Sequence, residues 1–102
     1  MKLVAVMSID TYRDDLLRLY RDHAIRVFSE IDIRGHYHDD ESTAADIGWF
    51  GRSNHPAYSM LTWAFVSDEE AGAFMEAIAA FNTTHDPDHP VRAFQMDVER
   101  AV

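Results

Sequence analysis

The 102-residue chain contains no cysteine, so disulfides, thiolate nucleophiles and cysteine-ligated zinc or iron–sulfur sites are excluded. Basic residues are also scarce: 9 Lys and Arg stand against 18 Asp and Glu, and only Lys2 is a lysine. A net charge of −9 without any basic run repels nucleic-acid phosphates and anionic lipid surfaces, which argues against both as partners. No stretch approaches the roughly 20 apolar residues of a membrane span. The opening segment, MKLVAVMSID, runs directly into Asp10 without a small-residue cleavage site, so it reads as a strand and not as a signal peptide. A cytoplasmic protein that does not insert into membranes is the expectation. Nucleophile elbow, phosphate-binding glycine loop and H-E-x-x-H are all missing, and the expected class is not an enzyme.

Apolar residues, by contrast, are plentiful. At 47% of the chain, with 12% aromatics, they are enough for a packed core, and the length suits a single domain over 1–102. Leu3 to Ile9 is a short aliphatic run bounded by Asp10 and Thr11, as in a buried strand. Tyr12, Leu16, Leu19, Tyr20 and His23 then recur at helical spacing, with Asp10 or Thr11 available as a cap and His23 at the boundary of the core. From Val27 to Arg34 the period falls to two: Val27, Ser29, Ile31 and Ile33 alternate with Phe28, Glu30, Asp32 and Arg34. The next apolar stretch is AYSMLTWAFV, with Ser59, Leu61, Trp63 and Phe65 on one face and Met60, Thr62, Ala64 and Val66 on the other. Ser67 and Glu70 then form a capping-box pattern ahead of a helix carrying Ala71, Phe74, Met75, Ile78 and Phe81. This helix should end near Asn82, before THDPDHP, and VRAFQMDV supplies a last strand.

The order β-α-β-β-α-β predicts an α+β, ferredoxin-like fold, an antiparallel sheet with both helices on one face. Such a sheet leaves its other face bare. Strands one and three are apolar on both faces, which predicts burial of the bare face against further copies of the chain.

Between the second and third strands lies a long polar excursion, RGHYHDDESTAADIGWFGRSNHP. Loops of this length in compact domains are usually functional or disordered. Its GWFG centre, Trp49 and Phe50, either tucks back into the protein or anchors a partner.

With element order and loops in place, the chain resembles the PII-like signalling proteins. The residues that carry the likeness are the opening MKLVAVMSI, the Arg34-Gly35 step in IRGHYH, the long excursion, FVSDEEAGAFMEAI, and HPVRAFQMDVE. The resemblance implies a homotrimer whose sheets face inward, a flexible T-loop at about 36–56, and a B-loop at about 83–90. It also implies ligand clefts between subunits, walled by the T-loop base of one and the B-loop of the next. The residues it points to are Arg34, Gly35, His36, His38, His85, His89 and Arg92. The implied target is another protein, with a membrane transporter as the candidate. The pattern departs from nucleotide-binding members at the B-loop: TTHDPDHP has neither glycine nor lysine and carries two acids, and no basic C-terminal segment is present. Only Arg34, Arg92 and Arg100 remain as phosphate partners, which argues against classical ATP binding.

Five of the 6 histidines fall in these two loops. His36 and His38, at i and i+2, would point to one side of an extending strand and form a candidate pair for a divalent transition metal. Nitrogen and carboxylate donors without sulfur favour zinc, copper(II) or nickel. Solvated strand-end histidines are the plainer reading of the same residues. A second functional reading, from the same strand order, is a dimeric α+β-barrel enzyme acting on a small hydrophobic substrate. It requires a closed pocket between helices and sheet.

Overall fold

A computed structural model describes residues 1–36 and 57–102. The order is β1 (Lys2–Ile9), a 3₁₀ turn (Asp10–Tyr12), α1 (Arg13–Asp22), β2 (Ser29–Gly35), β3 (Ala57–Val66), α2 (Asp68–Thr83) and β4 (Arg92–Asp97). The strands form one antiparallel sheet in the order β2-β3-β1-β4. This is the α+β, ferredoxin-like arrangement expected from the sequence.

The two faces of the sheet differ as the alternation requires. Val4, Val6 and Ser8 of β1 stand opposite Ala64, Thr62 and Met60 of β3, and all are buried beneath the helices. Leu16 and Tyr20 of α1 and Ala71, Phe74 and Ile78 of α2 close this layer from above. Ser67 caps α2 through the reciprocal bonds of a capping box: the Glu70 amide donates to its hydroxyl at 3.1 Å, and its own amide donates to the Glu70 carboxylate at 2.9 Å.

Three local expectations are revised. No side chain caps α1; the 3₁₀ turn at Asp10–Tyr12 leads into it instead. Helix α1 ends in a Schellman turn in which the Ala24 amide donates to Arg21 and the Ile25 amide to Tyr20, with Ala24 in the left-handed region at φ 56°. That reversal delays β2 to Ser29. It leaves Val27 82% exposed and sends Phe28 inward, where its ring stacks on Tyr20 at 4.1 Å between centroids. The alternation of β2 is otherwise kept, but β2 is an edge strand. Its polar residues Glu30, Asp32 and Arg34 share the helix side of the sheet, and Glu30 pairs there with Arg13 of α1.

Among the described residues no helix lies on the opposite face. Ile31 and Ile33, Leu61, Trp63 and Phe65, Leu3, Ala5 and Met7, and Phe94 and Met96 share it by register. Ile31, Phe65, Phe94 and Met96 are 43–58% exposed, so the apolar patch runs across all four strands.

Inside the core, the Tyr20 hydroxyl and the Thr62 hydroxyl lie 2.6 Å apart. Burial pushes the Tyr20 phenol up to about 12, against an ordinary 10.0, and the bond from Thr62 offsets part of the rise. Ionisation is therefore resisted in the folded state. The stability this group contributes is complete below pH 10 and falls as pH rises toward 12, by about 2 kcal/mol. Urea midpoints followed from pH 9 upward should show this fall, and a Tyr20→Phe variant should show a smaller one.

Candidate functional site

The sequence-predicted residues that fall within the described part of the chain gather at one end of the sheet. The pairs Gly35↔Ala57, Ile9↔Ser59 and Met7↔Arg92 put the end of β2, the start of β3, the end of β1 and the start of β4 at this end. They do not gather at one point. Arg34 and Gly35 lie on the β2 edge and Arg92 on the β4 edge, three strand spacings or roughly 14 Å apart.

At the β2 edge, Arg34 shares an open cleft of about 360 Å³ with Asp10, Asp32, Ile33, Tyr58 and Ser59. Two carboxylates beside one guanidinium leave this half-site without surplus positive charge. Gly35 is buried and ends the strand, and His36 follows it, exposed. His38, Trp49, Phe50 and the rest of the excursion lie outside the described residues.

The loop of residues 84–91, between α2 and β4, is tightly organised. Asn82 reaches over it to Val91: its carbonyl oxygen accepts from the Val91 amide and its amide donates to the Val91 carbonyl, each at 2.8 Å. His85 stacks on Phe81 at 3.6 Å between ring centroids, with the edge of Tyr12 against it at 5.5 Å. Its Nδ1 lies 2.7 Å from the Phe81 carbonyl, an acceptor, so this nitrogen carries a proton and donates. His89 Nδ1 lies 3.0 Å from Asp86. The Asp88 amide, and after it the His89 ring, hold the Asp86 carboxyl below the usual carboxylate range. Arg92 extends over the Phe94 ring at 5.8 Å.

The two B-loop histidines thus have separate intrachain partners. Among the described residues no group of three or more His, Asp or Glu is placed to hold a metal. The His36 and His38 pair is not decided by this, since His38 lies outside them. The helix–sheet layer, where the barrel-enzyme reading requires its pocket, is filled by the buried side chains of Tyr20, Phe74, Leu16 and Met60.

Sequence reasoning missed Asn82, Tyr12 and Phe81 as supports of the loop, and Asp10, Asp32 and Tyr58 as neighbours of Arg34. Asn82 shows only as a helix-terminal polar residue, because its partner is nine positions away across a turn.

Neither a protein-family profile nor a curated protein sequence matches the chain. Solved structures do. CPII from Thiomonas intermedia K12, a nitrogen regulatory PII-like protein bound to ADP, AMP and bicarbonate, aligns over 99% of this chain and 94% of its own, with TM-score 0.63 and 14% identity. The chain has the fold of PII-like signalling proteins. The apo form of CPII aligns over 95% of this chain and 87% of its own, at TM-score 0.66 and 13% identity. A PII-like signalling protein from Thermus thermophilus aligns over 95% and 84%, at TM-score 0.65 and 14% identity. At these identities the PII-like likeness is one of fold, and no helix among the described residues is long and apolar enough to cross a membrane.

Proposed function

We propose that the chain is a PII-like regulatory protein: a homotrimer, one domain per chain, that binds a small ligand between subunits and signals through the T-loop at about 36–56. The observation that carries this reading is the placement of Arg34 and Gly35 on one edge and Arg92 on the opposite edge of the same sheet end. A head-to-tail ring would bring the β2 edge of one copy to the β4 edge of the next, uniting Arg34, Gly35 and His36 with His85, His89 and Arg92. The apolar face supports the same assembly, because a trimer would remove it from water.

The ligand class tested first is a small anion bridged by Arg34 and Arg92, with Arg92 supplying the positive charge that Asp10 and Asp32 offset at Arg34, and each guanidinium capable of paired bonds to planar oxygens. Bicarbonate and the adenine nucleotides bound by CPII are the first probes. Classical ATP binding stays disfavoured by a B-loop with Asp86 and Asp88 in place of glycine and lysine. A divalent metal on His36 and His38 is the second ligand to test. Ligand binding would change the T-loop by favouring one of its states over the other, and a partner protein, with a membrane transporter as the candidate, would read that state.

Sedimentation and a thermal-shift screen test the reading together. A mass three times the 11.7 kDa of the chain is expected. Bicarbonate, AMP, ADP or zinc should raise the melting temperature, since saturation at 100 times Kd contributes about 2.7 kcal/mol. Arg34→Ala and Arg92→Ala should each remove an anion's effect, and His36→Ala with His38→Ala that of zinc. A monomer or dimer would overturn the assembly, and a trimer stabilised by none of these probes would overturn the ligand assignment.

A further inference from the structure

An open groove lies at the other end of the molecule. Helix α1 runs back from the candidate site, and β2 starts at Ser29, roughly 20 Å along the sheet from Gly35. Where the two meet, Leu17, Arg21, Ala24, Ile25, Arg26 and Phe28 line an open groove of about 440 Å³. Leu17, Ile25 and Phe28 make an apolar floor, and Phe28 is held in place by its stack on Tyr20. The Schellman turn at Ala24 folds the chain back so that Arg21, from the last turn of α1, and Arg26, from the connection to β2, line the same groove.

These two arginines are uncommitted. Arg13 is paired with Glu30 and Arg18 with Asp15, but neither Arg21 nor Arg26 has a side-chain hydrogen-bond or ion-pair partner among the described residues. In a chain of net charge −9, two unpaired guanidinium groups beside one apolar floor are a local reversal of sign. Among the described residues no acid lines the groove, and of the three acids of α1, Asp15 and Asp22 line a separate depression with Arg18, Phe81 and His85.

We propose that this groove binds a small monocarboxylate with an apolar body. Guanidinium groups match a carboxylate through paired hydrogen bonds, and the floor takes the hydrocarbon or aryl part out of water. Inorganic phosphate would leave the floor unused, and an uncharged apolar molecule would leave the arginines unused. The site is separate from the cleft at the other end of the sheet and stands whether or not that cleft holds an anion.

Octanoate, with octan-1-ol as its uncharged counterpart, is the probe, followed by amide chemical shifts on the full chain. Saturable shifts clustered between Leu17 and Phe28 are expected for octanoate, with octan-1-ol at least about ten-fold weaker. Arg21→Gln combined with Arg26→Gln should weaken octanoate by about ten-fold or more at an unchanged melting temperature. The unaltered chain alone is enough to refute the proposal. Absence of saturable shifts at Leu17–Phe28, equal affinity for octan-1-ol, or shifts confined to the open face around Leu61 and Trp63 would each overturn it, as would undiminished binding by the folded double variant.

Discussion

Leu61→Asp is expected to leave the chain monomeric at concentrations where the proposed trimer of the unaltered chain should form. Leu61 stands opposite Met7 of β1 and Ile31 of β2, near the middle of the uncovered face. In the monomer it is half-buried on a face that reaches water, so a carboxylate there keeps part of its hydration and the fold survives. In an inward-facing trimer each copy would bring an unpaired charge into an apolar centre. That costs roughly 3 kcal/mol per chain, or about a hundred-fold per association step. Phe65→Glu, at a residue 58% exposed, is the milder companion. Sedimentation at several concentrations, with circular dichroism to confirm folding, gives the answer. A folded Leu61→Asp that remains fully trimeric would mean that this face is not the interface.

Asn82→Ala should produce the largest loss of monomer stability from a change outside the hydrophobic core, about 2–4 kcal/mol. Val91 is 2% exposed, and both its backbone polar groups are met by the one Asn82 side chain. Alanine leaves a buried amide and a buried carbonyl together without partners, which costs more than a lost surface bond. The effect should also reach the candidate site, because Val91 directly precedes Arg92 and the start of β4. Urea denaturation measures the first effect, and the ligand-induced thermal shift measures the second. A loss below about 0.5 kcal/mol would show that water replaces the clamp without penalty.

These two residues also mark what was legible in advance. Leu61 is visible in the sequence, since a strand apolar on both faces implies something on each side of it. Asn82 is not, since its importance lies in a contact that local pattern cannot encode. The same division runs through the site. Arg34, Gly35 and Arg92 are identified by resemblance as strand-end residues, and the structure has them there. His85 and His89 look alike in the sequence, yet one is a stacked member of an aromatic cluster and the other partners Asp86.

Composition and periodicity alone determined that this is an α+β chain of order β-α-β-β-α-β, acidic, without thiol chemistry, and with a capped second helix. Those properties depend on residue type and on spacing within one element, which a linear reading contains. Tertiary structure decided the rest. The Schellman turn at Ala24 shifted the start of β2 and created the groove between Arg21 and Arg26. Strand order separated Arg34 on β2 from Arg92 on β4 by the width of the sheet. Each depends on where segments distant in sequence come to rest, and that is set by packing of the whole chain.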